Sequence, residues 1–279
     1  MTRRILLPLL LLALAACNAP TPPAADAPAA TSTAAMPASA DEPAASTTTV
    51  PAAASTAATP VDPAAEAAAA QALAGDPSGL VEGRDYEVVK DPEPWMPLDG
   101  KIEVVEVFGY VCPACASFDP LVTSWKSKLP ADVRFSYVPA PFGPEWIPYA
   151  KGFYVADAMG LADRSHNALI RAIHVENSMP GEGDKPDEQK IAEFYGKYGA
   201  NPKEFLSTMN SFSVSAQVNK GRQFMLRTGA NSTPTMIVNG KYRVTGNTFE
   251  DMLRIASGLI ARERAATQGA APAAAPAQG

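Results

Sequence analysis

Cys112-Pro113-Ala114-Cys115 constrains this chain more than any other stretch. It follows a hydrophobic run, Ile102 to Tyr110, and precedes a segment, Ala116 to Leu129, that reads as helix. Two cysteines at this spacing on the first turn of a helix can close a small disulfide ring. Cys112 is expected near the N-cap, where unpaired backbone N–H groups and the helix dipole favour negative charge. Both effects lower a thiol pKa and make a thiolate available at neutral pH. Pro113 falls at the first helical position, where its missing N–H costs nothing. Cys115, one turn in, is expected to point back toward Cys112 and to be the more buried. An exposed attacking sulfur and a sheltered resolving one form a dithiol redox centre.

Two plainer readings compete. As half of a zinc site the pair needs two more ligands to make four, but the remaining cysteine is Cys17, and His166 and His174 are not at a usual ligand spacing. A structural disulfide gains little from so short a loop. The strand-then-helix context favours redox chemistry over both.

Much of the 279-residue chain cannot be globular. Residues 1–17 read as a cleaved bacterial lipoprotein signal, with Arg3 and Arg4 as basic flank and Ile5 to Leu14 as an apolar core too short to span a bilayer. Leu14-Ala15-Ala16-Cys17 resembles a lipobox, with cleavage before Cys17 and lipid on its sulfur. Ordinary cleavage after Ala15 is the alternative, since Ala13 and Ala15 also fit an A-x-A site. The lipobox reading accounts for the odd cysteine and leaves Cys112 and Cys115 as the only pair. Multiple acyl chains anchor stably where one is marginal. Export places the chain where disulfides persist. The net charge of −6 argues against nucleic acid as a partner.

Residues 18–78 are dominated by Ala, Pro, Ser and Thr and show no hydrophobic period. Such a segment cannot bury enough surface to offset its ordering entropy, and a disordered tether is expected. The tail from about Ala265 to Gly279 repeats the bias and is expected to be loose as well.

The globular part spans about Gly79 to Arg264, enough for a real core. Strands are expected at Tyr86–Val89, Ile102–Phe108, Val133–Val138, Thr235–Val238 and Lys241–Val244, the last two joined by an Asn239-Gly240 hairpin turn. The second reads as covered on both faces because it is almost continuously apolar. From Pro144 to about Arg227 the period is helical. Ile147 to Leu161, Asn167 to His174, Glu188 to Tyr198, a helix opened by Pro202, and Ser215 to Thr228 are expected, with Gly160, Gly199 and Gly229 near C-caps. Phe249 to Ala261 is a last amphipathic helix. A helical block thus sits inside a β-α-β…β-β-α framework: an α/β, thioredoxin-like fold with a helical insertion. The expected parts are 79–143 and 228–264 as the thioredoxin-like domain and 144–227 as the insertion.

The arrangement and its motifs resemble the DsbA family of periplasmic thiol:disulfide oxidoreductases. The resemblance covers about residues 84–263. It rests on Glu106 through Cys115, on Asn210-Ser211-Phe212 with Val214, and on Thr233-Pro234 leading into Val238-Asn239-Gly240-Lys241-Tyr242. It implies that Cys112 forms mixed disulfides with substrates and that Cys115 resolves them. Pro234 is implied to be cis and to face the dithiol, with the backbone of Thr233 turned outward to pair with an extended substrate. Pro113 and Ala114 are implied to tune redox poise; Ala114 stands where well-known members carry histidine, and Thr233 where an apolar residue is frequent. Implied partners are unfolded exported proteins with cysteines and a DsbB-like membrane reoxidant. A periplasmic monomer, held to the membrane by lipid at Cys17, is expected, with the outer membrane suggested by Asn18. No cofactor or metal is required. The alternatives are a reductase or isomerase of the same fold, and a binding module or holdase with an incidental dithiol.

Glu106 lies six residues before Cys112 within the apolar strand. Burial there would raise its pKa and let it relay a proton to or from Cys115, as a third candidate catalytic residue. Glu103 reads as solvated, His166 and His174 as surface or packing residues, and Trp95, Trp125 and Trp146 as core or groove lining.

Overall fold

The structure is a computed structural model that describes residues 79–269. The signal segment, Cys17 and the tether to residue 78 lie outside the described residues, as does the tail from residue 270. Five strands run β1 (Tyr86–Val88), β2 (Ile102–Phe108), β3 (Val133–Pro139), β4 (Thr235–Val238) and β5 (Tyr242–Val244). Among the described residues seven helices accompany them: α1 (Pro113–Lys126), α2 (Trp146–Ala158), α3 (Ala162–His174), α4 (Glu188–Gly196), α5 (Pro202–Met209), α6 (Phe212–Thr228) and α7 (Phe249–Gly269).

The strands form one mixed sheet in the order β1-β5-β4-β2-β3. β2 and β3 pair in parallel through the α1 crossover, while β2–β4, β4–β5 and β1–β5 are antiparallel. The β4–β5 hairpin closes at Asn239 and Gly240, which take φ of 52° and 62°. Two successive positive φ values are what a two-residue hairpin loop needs.

β2 is buried along its whole length, and period-2 alternation sorts its residues between two cores. Ile102 and Val104 join Phe118, Val122 and Trp125 of α1, Met236 of β4, and Leu253, Ile255 and Leu259 of α7. Val105 and Val107 join the larger core, which contains Phe153 of α2, Leu169 of α3, Ile191 of α4, Phe205 of α5 and Phe224 of α6. Every one of these helices falls between β3 and β4 in the chain. The helical block therefore covers one sheet face, and α1 with α7 covers the other. Glu106 shares the parity of Val104 and points toward α1.

Local signals explain most boundaries. Asp187 Oδ1 accepts from Lys190 N, Asn201 Oδ1 from Lys203 N and Glu204 N, and Ser211 Oγ from Val214 N. These are N-caps of α4, α5 and α6. Gly229, at φ 69°, ends α6 in the left-handed conformation. α6 begins three residues earlier than the periodicity suggests, because Ser211 caps it there. α1 stops at Lys126 rather than Leu129; Ser127 caps it and its hydroxyl turns back to the Ser124 carbonyl.

Two expectations are corrected. α7 continues to Gly269, past Ala261 and into the stretch read as a loose tail. Its extension is tied down by Arg264 on Asp132 at 2.7 Å and by Glu263, which accepts from Asn239, Lys241 and Tyr242. Glu103 is fully buried, not solvated. It accepts from the backbone of Trp95 and Met96 and pairs with Arg134 at 2.8 Å. A carboxylate that binds two N–H groups and a guanidinium is satisfied inside, and it fastens the loop before β2 to β3. All three tryptophans are buried. Among the described residues, no helix is long and apolar enough to cross a membrane.

Candidate active site

Where β2 ends, Cys112 N donates to Gly109 O at 3.1 Å and closes a four-residue turn before α1. Gly109 is obligatory there: a Cβ on it would lie 2.0 Å from the Trp146 ring. Cys112 follows as the N-cap of α1, extended at φ −79° and ψ 118°, with Pro113 opening the helix. Its sulfur accepts from the Cys115 N–H at 3.3 Å, which satisfies one of the unpaired donors of the helix start.

Both cysteines are free and buried, at 6% and 2% exposure. The expected contrast between an exposed and a sheltered sulfur is thus nearly absent in accessibility, because Trp146, Tyr149 and their neighbours close over the same region. The contrast lies in electrostatics. The Cys112 thiol is pulled down to about 6, first by a hydrogen bond from Cys115, against the opposing effect of burial. Hydrogen bonds from the Thr233 side chain and from the Cys115 and Ala114 backbone add to it. The Cys115 thiol is pushed far upward, by burial first, then by its bond to Cys112 and the electrostatic effect of the nearby Glu106 carboxyl. One sulfur is held as thiolate and the other as thiol.

The Thr233–Pro234 peptide is cis, and the Thr233 carbonyl lies 3.6 Å from Cys112 Sγ. Thr233 touches the sulfur in two opposing senses: its carbonyl accepts from S–H and favours the thiol, whereas its side chain hydrogen-bonds the thiolate. The side-chain bond is among the causes that lower the pKa. Thr233, 121 residues from Cys112 in sequence, thus brings its cis peptide with Pro234 to the dithiol.

Glu106 is almost wholly buried, and its Oε2 has no hydrogen-bond partner. Burial, then the charge of Asp119, raises its pKa well above the carboxylate range, while Lys126 opposes the rise. It interacts electrostatically with both Cys112 and Cys115. Asp119 is a site residue that sequence reasoning missed. It lies four residues after Cys115 on α1, hence on the same helix face. Burial raises its pKa to about 6, against Lys126 and a hydrogen bond from Thr123. Lys126 donates to Tyr137 Oη at 3.2 Å. Glu106 of β2 and Asp119 and Lys126 of α1 form a cluster of ionisable groups, legible only as helix spacing on a segment that otherwise reads as core.

The histidines also sit nearer the dithiol than their sequence distance implies. His166 is buried, stacks on Tyr137 at 4.1 Å, meets Tyr110 Oη through Nδ1 at 3.2 Å, and places Nε2 3.6 Å from Asp119 Oδ1. Burial, then Lys126, holds its pKa well below normal, so it is neutral. His174 Nε2 lies 2.7 Å from the Tyr110 carbonyl oxygen.

A mixed sheet with a dithiol at a strand-to-helix turn, facing a cis-proline, defines a thioredoxin-class redox protein. The family model described as Thioredoxin matches residues 98–256. The thiol:disulfide interchange protein DsbA of Pseudomonas aeruginosa is 37% identical over 199 residues, covering 70% of this chain and 92% of that protein. The DsbA of Burkholderia cepacia is 32% identical over 185 residues, covering 66% and 84%. Among solved structures, the oxidoreductase DsbA from Xylella fastidiosa superposes with a TM-score of 0.64 at 45% identity, covering 67% of this chain and 98% of that one. P. aeruginosa DsbA gives 0.60 at 36% identity, covering 68% and 98%. The chain belongs to the DsbA family of thiol:disulfide interchange proteins.

Proposed function

We infer that the protein is a periplasmic thiol:disulfide oxidoreductase that introduces disulfides into exported proteins. The single observation that carries the direction is the opposed pair of thiol pKa values, low at Cys112 and high at Cys115. In the oxidised protein, a substrate thiolate attacks Cys112 Sγ. A substrate–Cys112 bond forms, the Cys112–Cys115 bond breaks, and Cys115 departs with the electron pair. Its raised pKa demands a proton. Glu106, held neutral by burial, supplies it. A second substrate thiolate then attacks the substrate sulfur of the mixed disulfide, and Cys112 leaves as a stabilised thiolate. Two electrons pass from substrate to protein. The two substrate thiols release two protons; one replaces the proton that Glu106 gave to Cys115, and the other stays in solvent because Cys112 remains a thiolate.

Thr233 and Pro234 offer backbone against which an extended substrate aligns, and Pro113 and Ala114 set the redox poise. A DsbB-like membrane partner restores the disulfide. The chain works as a monomer, tethered by residues 18–78 to a lipidated Cys17 that cleavage just before it leaves as the first residue, with residues 79–143 and 228–264 as the catalytic domain and 144–227 as its helical insertion. The lipidation reading rests on Leu14-Ala15-Ala16-Cys17 and the basic and apolar segments before it.

The test is to mix oxidised full-length protein with a reduced, unfolded two-cysteine substrate without other oxidant. One substrate disulfide should appear per protein disulfide lost. A protein that leaves the substrate reduced ends the oxidase reading. For the anchor, Cys17→Ala should abolish fatty-acid labelling, and unchanged labelling refutes it.

A further inference from the structure

The helical block grips one residue beside the dithiol, Tyr110, at both ends. The Tyr110 ring is buried against Phe108, Tyr149 and Phe153. Its hydroxyl meets His166 Nδ1, and its carbonyl oxygen meets His174 Nε2. Both histidines belong to α3, two turns apart. A carbonyl only accepts, so the 2.7 Å contact fixes the His174 tautomer: Nε2 carries the proton and donates it.

The position of that carbonyl matters. The bond from Cys112 N to Gly109 O encloses Tyr110 and Val111, so the carbonyl that His174 holds belongs to the central peptide of the turn. The orientation of a central peptide distinguishes turn types that share the same closing bond. Fixing it fixes the direction in which Val111 leads into Cys112, and with it the extended N-cap geometry that lets Cys112 Sγ meet the Cys115 N–H at 3.3 Å and the Thr233 carbonyl at 3.6 Å.

We propose that His174 is a positioning residue for the redox centre: by donating Nε2–H to the Tyr110 carbonyl it locks the turn that presents Cys112, so that the helical block sets the reactivity of the dithiol. This rests on the oxidoreductase reading above and deepens it. His174 touches neither sulfur and acts through the turn.

The test compares His174→Phe, which keeps a ring but has no donor, with His174→Gln, which retains an N–H of similar reach. Two quantities are read on the full chain: the Cys112 pKa from thiolate absorbance, and the equilibrium constant with glutathione. Loss of the donor should raise the Cys112 pKa by half a unit or more. It should also shift the glutathione equilibrium at least threefold toward the oxidised protein, because a less stabilised thiolate makes a less oxidising disulfide. The glutamine variant should recover most of both. Packing alone predicts instead a lower melting temperature with both quantities unmoved, and that result overturns the proposal. So does a glutamine variant no closer to the parent than the phenylalanine variant. Should His174→Phe not fold, His174→Gln is compared with His174→Met, which folds around a flexible apolar chain without a donor, by the same readouts. A parent protein that does not exchange with glutathione overturns the oxidoreductase reading and this inference together. A parent that exchanges, beside variants that match it, overturns this inference alone.

Discussion

The first turn of α1 and the helical block opposite it build one redox centre by different means. The turn supplies everything that touches sulfur from nearby in sequence: the N-cap, Pro113, the N–H groups of Ala114 and Cys115. The block is not among the hydrogen-bond partners that shift either thiol. It contributes burial, through Tyr149 and Phe153, and two histidines that meet Tyr110 and Asp119. The chemistry is local and its tuning is remote. Changes in the turn should therefore alter what the protein can do, and changes at the boundary with the block should alter how far the equilibrium lies.

The largest effect tests the local half. Cys112→Ala removes the group that receives substrate, and no mixed disulfide should form. Cys115→Ala leaves that group and removes its resolver, so adducts through Cys112 should accumulate on diagonal gels. Equal adducts in both variants would mean that the two sulfurs are not divided as their pKa values suggest, and the comparison would lose its basis.

Asp119 tests the boundary. It sits on α1 but lies against His166 of the block, and burial raises its pKa from 3.8 to about 6. A carboxyl with a raised folded pKa binds more protons folded than unfolded. Stability is then full below the unfolded pKa, near pH 4, and is lost as pH rises through about 6. At about 1.4 kcal/mol per unit, the loss amounts to about 3 kcal/mol. Urea unfolding of the parent at a series of pH values should show this decline, superimposed on that from Glu106. Asp119→Asn should flatten the part between pH 4 and 6. A variant with the parent's slope would show that Asp119 is not held in a low-dielectric boundary.

The division between local and remote also explains what could be read from sequence. Cys112, Cys115 and Glu106 share a strand-turn-helix segment, and the apolar run around Glu106 declares its burial. Thr233 and Pro234 became legible only through resemblance, since nothing local says that a threonine-proline pair faces a dithiol 121 residues away. Asp119 had a signal, four residues after Cys115, but an acid on an amphipathic helix reads equally as solvated face. Glu103 had none: its partners, Trp95, Met96, Arg134 and Asn239, come from three separate segments. His174 had none either, because its partner is a backbone carbonyl, and a carbonyl leaves no trace in the residue type that carries it. Helix ends moved where a capping side chain outweighed periodicity, as Ser211 does for α6.

The smallest effect sharpens the comparison, because it leaves the chemistry intact and moves only its poise. Ala114 is half-buried, and its N–H already hydrogen-bonds the Cys112 thiolate. Its methyl side chain can neither donate nor carry charge. A histidine there keeps the backbone donor and adds a ring that can do both at the start of α1, where the helix dipole already favours the anion. Ala114→His should therefore lower the Cys112 pKa below about 6. A stabilised thiolate stabilises the reduced form, which makes the disulfide more oxidising. Each pKa unit is worth about 1.4 kcal/mol, or roughly 30 mV for a two-electron couple. The reduction potential should thus rise by some tens of millivolts, read by glutathione equilibration, while thiolate absorbance against pH reports the fall in pKa. The two shifts must agree through that conversion. A potential that rises without a change in pKa would place the effect of residue 114 in the oxidised form, and a potential that falls would refute the electrostatic account of this dipeptide.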